Sequence, residues 1–477
     1  MFNTLLHRLN ADSLNSVLQR FTLHAYETRI QKILSAIEER IREERNLGAV
    51  LQSLDTAKGK LYGCFLEYFD STLVAKVLAL KVLNLCLGKH QFLARSTVSI
   101  ARPYGLLIDP SNGCNLACPG CVHSRSAKKL GVFDWKPGML SEERATAFLS
   151  QFGPYAIQIL FCNYGEPLLN PNTPKFIRLA KSYRSQTMLS TNLAMDHFDA
   201  DSYVRSGLDY MILSIDGATQ AVYERYRKKG NIEIVYRNIQ KLVEAKLRLR
   251  KRTPILCWQY LAFEHNVHEI SDAVDIARCL GLDEFKIASA FDVGWDDPGV
   301  QPAKIEPVTL KFNTDAGHRM MENWNAFPGS LDAETIEHEF ETGWIEKLAR
   351  QPQKDSGSSP AAGHTCHWLY KSLTMDANGR ILPCCGAPGP GKDLIFSDFN
   401  SGDVHDPFNS DKHRLARLYF ADRDAYRRTG QQQEPYCVSC TWNQTRTDIG
   451  SAQVEHYLKA AGSALFNSKS IRMLCSW

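Results

Sequence analysis

Three cysteines, Cys114, Cys118 and Cys121, stand in the run Ile108-Asp-Pro-Ser-Asn-Gly-Cys-Asn-Leu-Ala-Cys-Pro-Gly-Cys-Val. Their spacing is C-x3-C-x2-C, and the next cysteine is Cys162. Three thiolates can ligate three irons of a cubic 4Fe–4S cluster and leave the fourth iron open. An open metal position is where chemistry on a bound molecule takes place, whereas a closed shell is structural. A zinc ion is the other metal such thiols take. It needs a fourth ligand, for which His123 is a candidate.

A second set follows at Cys366, Cys384, Cys437 and Cys440. Between the first two, Asp376-Ala-Asn-Gly379 reads as a hairpin turn that brings them together. Cys385 is an alternative to Cys384, and Cys475 stands too far off to complete a further cluster. Four thiolates suit a 4Fe–4S cluster or a structural zinc equally well. The amino terminus, Met-Phe-Asn-Thr-Leu-Leu-His-Arg-Leu-Asn, lacks the apolar core and small-residue cleavage site of a signal peptide. Clustered cysteines without such a signal favour metal ligation over disulfides, and a reducing cytoplasm is expected.

The elements that position these residues follow from hydrophobic periodicity. From about 103 to 292, short apolar strands alternate with amphipathic helices. The strands are Tyr104–Ile108, Ala156–Phe161, Thr187–Thr191, Tyr210–Ile215, Ile255–Phe263 and Glu284–Ala288. Helices are expected over Ser141–Gln151, Thr173–Tyr183, Ile232–Ala245 and Ile270–Leu280. Repeated strand-then-helix units require right-handed crossovers and a parallel sheet, here an α/β partial (β/α)6 barrel open on one side. The first cysteines then lie on a loop at the carboxyl end of the first strand, where such barrels hold their active sites.

At 477 residues the chain exceeds one domain. Residues 1–95 read as a helical region, with Ile30, Ile33, Leu34, Ile37 and Ile41 at helical spacing. Residues 96–300 form the core, 301–360 a connector with helical pieces near Leu310–Asn325 and Thr335–Ala349, and 361–477 a cysteine-bearing domain. With a net charge of +4 and no basic block, nucleic acid is not an expected partner. The aliphatic run Leu73–Leu87 carries Lys76 and Lys81 and is too short to span a bilayer comfortably. It reads as a buried helix, with peripheral membrane contact as the minority reading.

Together the cysteine run and the strand ends resemble the radical S-adenosylmethionine (SAM) superfamily. Tyr164-Gly165-Glu166-Pro167 after the second strand is similar to that family's Gly-Gly-Glu-Pro element, which meets the amino group of SAM. There the Glu166 carboxylate accepts from an ammonium, and Gly165 lets backbone approach the ligand closely. Ser190-Thr191-Asn192 and Ser214-Ile215-Asp216-Gly217 resemble segments that contact SAM ribose or carboxylate. Arg227 resembles a basic residue facing the SAM carboxylate. Two positions depart from the pattern: Gly120 stands where many members carry an aromatic residue, and Tyr164 replaces the first glycine.

The second cysteine set resembles the SPASM or twitch extension, counted here as ligands for one auxiliary cluster. The resemblance implies reductive cleavage of SAM to a 5′-deoxyadenosyl radical and abstraction of a substrate hydrogen. It further implies net oxidation through the auxiliary cluster and a flavodoxin- or ferredoxin-type electron donor. Radical C–C or C–S bond formation on a small molecule, lipid or peptide is the alternative within the enzyme class. A non-catalytic iron–sulfur or zinc scaffold is the alternative outside it. No catalytic base is assigned: Asp292, Asp296, Asp297, Trp295 and His265 fall near strand ends.

Overall fold

The computed structural model describes residues 101–130, 137–294, 296–313, 366–384, 395–399 and 406–431, with positions 81, 84, 88, 91, 92, 95–99, 315, 319, 320, 323, 434, 435 and 437 beside them. The helical reading of residues 1–95 lies almost wholly outside that set. Within Leu73–Leu87 only Lys81 and Asn84 are described, and both are helical and fully buried. A lysine without exposed surface has nothing to offer a lipid headgroup. Among the described residues no helix is long and apolar enough to cross a membrane.

Among the described residues ten strands form one sheet: β1 Gly105–Ile108, β2 Gln158–Phe161, β3 Gln186–Thr191, β4 Tyr210–Ser214, β5 Ile255–Ala262, β6 Glu284–Ser289, β7 Val308–Lys311, β8 Ser372–Met375, β9 Arg380–Leu382 and β10 Ser397–Asp398. Their order is β10-β9-β8-β1-β2-β3-β4-β5-β6-β7. From β1 to β6 each strand pairs in parallel with the next, as helical crossovers require. All four residues of β1 are buried, the pattern of a parallel strand covered on both faces.

The crossovers carry their own signals. Ser141 caps Glu142–Phe152 by accepting from the Arg144 N–H, and Ala145, Phe148, Leu149 and Phe152 form its buried stripe. Asn231 caps Ile232–Arg248 by accepting from Glu233 and Ile234, and Val235, Ile239 and Leu242 face inward. Beneath the amino ends of the strands, Lys181 Nζ meets Asp209 Oδ2 at 2.7 Å with both side chains buried. The Thr187 N–H and hydroxyl share that carboxylate oxygen, so this buried charge is compensated and its hydrogen bonds are filled.

Two features depart from expectation. Val308–Lys311 is a strand antiparallel to β6, inside the stretch read partly as helix near Leu310–Asn325. The free edge of β6 offers a row of backbone hydrogen-bonding groups, and the β-branched pair Val308-Thr309 suits pairing with it. Among the described residues farther along that stretch, Arg319, Met320 and Asn323 are helical, as expected. The second departure is the Asp376–Gly379 hairpin. Its turn forms as expected: Gly379 has φ +88°, and Asp376 Oδ1 accepts from the Asn378 and Arg380 N–H groups at 2.9 and 2.8 Å. Yet β8 pairs in parallel with β1, so the hairpin extends the same sheet. Three short helices, Arg125–Leu130, Ala200–Arg205 and Gln220–Tyr226, are too brief for periodicity to reveal.

The chain divides into two compact units, one of Gly105–Pro328 with Ser372–His413, the other of Met1–Tyr104, Gly329–Lys371 and Arg414–Trp477. The sheet lies in the former. In the latter, the fully buried Arg417 donates from Nε and Nη2 to the Leu369 carbonyl at 3.0 and 2.7 Å. Its guanidinium sits 5.3 Å from the Tyr370 ring centroid.

Candidate active site

The chain leaves β1 at Asp109 and enters the cysteine loop, which neighbouring backbone holds in place. Asn112 Oδ1 accepts from the Gly138 N–H at 2.5 Å, and Gly113 O accepts from the Glu166 N–H at 2.7 Å. Cys121 N–H donates to Cys118 O at 3.1 Å, closing a turn through Gly120. Gly120 has φ +74°, and a Cβ there would lie 2.3 Å from the Val293 side chain. Both facts require glycine at the position where the resemblance leads one to expect an aromatic. The Gly120 N–H donates to Asp296 Oδ2 at 2.7 Å.

Cys118 is buried and Cys114 and Cys121 are half-buried, packed with Leu116, Tyr226, Phe263, Val293 and Val300. Each sulfur has N–H donors beside it. Leu116 N–H and Asn192 Nδ2 lie 3.4 and 3.7 Å from Cys114 Sγ, and Arg227 Nη1 lies 3.9 Å from Cys118 Sγ. The backbone N–H groups of His123 and Val122 serve Cys121. Burial pushes the Cys114 thiol up to about 12 and the Cys118 thiol up to about 11, and raises Cys121 as well. The thiols also feel one another's charge. Three soft, desolvated thiols flanked by N–H donors suit a thiophilic group whose positive charge displaces their protons. Among the described residues no three His, Cys, Asp or Glu side chains converge on a single metal-ion position. His123, the candidate fourth zinc ligand, holds its Nε2 3.0 Å from the Tyr164 carbonyl.

The strand ends gather the other residues expected there. Glu166 is buried, and its carboxylate accepts from the Thr191 hydroxyl at 2.6 Å, the Asn192 N–H at 2.8 Å and the Leu168 N–H at 3.1 Å. Burial raises its affinity for a proton. It therefore ties β2 to β3. A Cβ on Gly165 would fall 1.8 Å from the Ser111 carbonyl oxygen, so backbone of the cysteine loop, and not a ligand, demands glycine there. Ser190 and Ser214 face each other with hydroxyls 3.3 Å apart. Asn192 also donates to Asn115 Oδ1 at 3.0 Å. Asp216 Oδ2 accepts from Arg227 Nε at 2.6 Å, while its Oδ1 accepts from the Leu261 N–H at 2.7 Å.

Of the cysteines in the second set, Cys366 and Cys437 fall in one compact unit and Cys384 in the other. Cys440, Cys385, Cys475 and Trp295 lie outside the described residues. Asp292 and Asp297 accept from the backbone N–H groups of Gly294 and Gly299, both two residues on, as turn residues do. His265 is buried and stacked 5.5 Å from Phe263, and among the described residues neither ring nitrogen has a hydrogen-bond partner. Burial, helped by Arg225 and Lys228, holds its imidazole down at about 4.

One residue escaped sequence reasoning. Asp109 is buried at the carboxyl end of β1, and its carboxylate accepts from the N–H groups of Tyr164 and Gly165 at 3.1 and 3.3 Å. Burial pushes it up to about 7. Its signal was an acidic residue directly after a wholly apolar strand.

Residues 108–256 match the model described as the radical SAM superfamily. A PqqA peptide cyclase of Gluconobacter oxydans is 23% identical over 343 residues, covering 71% of this chain and 82% of that protein. A protein of Methanococcus maripaludis named "Probable GTP 3′,8-cyclase" is 26% identical over 181 residues, covering 38% of this chain and 56% of its own. The crystal structure of Streptococcus suis SuiB aligns over 86% of this chain and 84% of that one, at 13% identity and a TM-score of 0.42.

Proposed function

We propose that this chain, a member of the radical SAM superfamily, is an enzyme that abstracts a hydrogen atom from a peptide and joins two positions of it. Membership carries a 4Fe–4S cluster and SAM as cofactors. Bound together, they supply a 5′-deoxyadenosyl radical able to attack an unactivated C–H bond.

In this reading Cys114, Cys118 and Cys121 hold the cluster, and their burial among Leu116, Phe263 and Val293 keeps water from it. The paired hydroxyls of Ser190 and Ser214 are placed to bond a ribose or carboxylate. Arg227 engages Asp216 and Cys118 through Nε and Nη1, which leaves Nη2 for the carboxylate of SAM. Gly165, Glu166, Asn192 and Asp216 act mainly by fixing the backbone that lines the SAM site. The sequence pattern of Cys366, Cys384, Cys437 and Cys440 supports an auxiliary cluster as electron acceptor, with a flavodoxin or ferredoxin as donor to the first cluster.

The peptide substrate and the bond-forming outcome are taken from the relatives known as PqqA peptide cyclases, which align over most of this chain. Joining two C–H positions removes two hydrogens, one as an atom and one as a proton with an electron, so cyclisation is itself a net oxidation. The observation that carries the reading is the meeting of Cys114 and Cys118 with Asn192, directly after β3, and Arg227, at the carboxyl end of the helix Gln220–Tyr226.

The test is anaerobic formation of 5′-deoxyadenosine from SAM by the reduced, reconstituted protein, beside Cys118→Ala. Peptide and lipid fractions of the host are added in parallel. Formation by the wild type alone, stimulated by the peptide fraction, is expected. Stimulation by the lipid fraction alone would displace the peptide reading. No formation despite a full iron complement would leave the scaffold reading.

A further inference from the structure

We propose that Arg227, with Asp216 as its counter-charge, is a positioning residue that sets the reduction potential of the cluster at Cys114, Cys118 and Cys121. The inference rests on the reading above that these thiols ligate iron. Its basis is the geometry around the sulfurs. Cys114 and Cys121 receive neutral amide donors, whereas Arg227 Nη1 brings a full positive charge within 3.9 Å of Cys118 Sγ. Among the described residues, no other cation hydrogen-bonds one of the three thiols.

The guanidinium is held on two sides: Asp216 Oδ2 accepts from Nε at 2.6 Å, and the Tyr226 ring lies 5.2 Å from its carbon. The backbone beneath it is anchored by the Arg227 N–H, which donates to Tyr223 O at 2.9 Å. The Arg227 side chain is 13% exposed and that of Asp216 is fully buried, so solvent and salt screen neither charge well. Reduction adds one negative charge to the cluster. A fixed cation and N–H···S donation at the sulfur stabilise that charge and raise the potential. Asp216 works in the opposite direction while holding the cation in place.

The two members of the pair therefore make opposite demands on experiment. Replacing Arg227 removes the cation and leaves the buried carboxylate alone beside the cluster, which makes reduction harder. Replacing Asp216 by its neutral isostere leaves the cation unopposed, which makes reduction easier. A purely structural ion pair would give both variants the same defect.

The test is a redox titration of the full chain, reconstituted anaerobically and followed by electron paramagnetic resonance without SAM. The signal assigned to this site is the one lost in Cys118→Ser. At a fixed potential, Arg227→Gln should lower the ratio of reduced to oxidised cluster by about tenfold, or about 59 mV for one electron. Arg227→Lys should restore much of it, and Asp216→Asn should raise it. Equal potentials at full iron content, or shifts of the same sign in Arg227→Gln and Asp216→Asn, would overturn the proposal. If Arg227→Gln takes up no iron, Asp216→Asn decides alone: an upward shift supports the proposal, and any other result ends it. Iron content identical in wild type and Cys118→Ser would instead remove the reading beneath it.

Discussion

The Thr191 hydroxyl donates to Glu166 Oε1 at 2.6 Å, fastening the carboxyl end of β3 to the loop that follows β2. The same carboxylate accepts the Asn192 N–H, so one buried side chain sets the backbone that aims Asn192 at Cys114. Glu166→Gln puts an amide donor opposite one of these donors and leaves a buried group unsatisfied. A loss of about 1–3 kcal/mol in urea unfolding is expected, with weaker iron retention at the first site. An unchanged midpoint and unchanged iron content would show that the carboxylate positions nothing.

Gly165 bears on the cysteine loop directly. A methyl group there would meet the Ser111 carbonyl at 1.8 Å and the Gly113 carbonyl at 2.6 Å, and both are backbone with little room to retreat. Gly165→Ala should therefore displace the segment leading into Cys114. Iron uptake should fall severalfold while far-ultraviolet circular dichroism stays close to wild type, because the strands themselves are untouched. Full iron uptake by this variant would mean that the loop adapts freely.

Stability should depend on pH through Asp109. Its folded carboxyl is raised to about 7, against about 3.9 for an unfolded aspartate. Between those values the native state holds more protons than the unfolded chain, so stability falls as pH rises through that window and levels off above it. Burial raises Glu166, Asp216 and Asp376 in the same direction, which steepens the wild-type slope. Asp109→Asn loses an acceptor for a backbone N–H and starts lower at pH 4, but it should lose less on the way to pH 8. Parallel melting-temperature profiles for the two proteins would exclude this role for Asp109.

Much of the barrel was legible because its signals are local. The six apolar runs became β1 to β6 with ends shifted by at most two residues, and Ser141 and the Asp376–Gly379 turn act as their residue types imply. What the sequence did not reveal depends on long-range pairing. Nothing local says that Ser372–Met375 will lie beside Gly105–Ile108, or that Val308–Lys311 will seek the edge of β6.

The candidate site shows the same division. Spacing brought out Cys114, Cys118 and Cys121, and the resemblance of short elements to those of the superfamily brought out Glu166, Asn192, Asp216 and Arg227. Their partners were not legible. Glu166 and Asp216 were expected to face a ligand, and both spend their oxygens on the protein. Asp109 carries no motif, and only the folded chain brings the Tyr164 and Gly165 N–H groups to its carboxylate.

The central claim is that three thiols hold a cluster whose fourth iron is open to SAM. The most direct measurement is electron paramagnetic resonance of the reduced protein with and without SAM, on wild type and Cys118→Ser. A spectrum that changes on adding SAM in the wild type, and is missing from the variant, is the expected result. A reduced cluster at these cysteines whose spectrum is indifferent to saturating SAM would mean a closed coordination shell, and the catalytic account would fall.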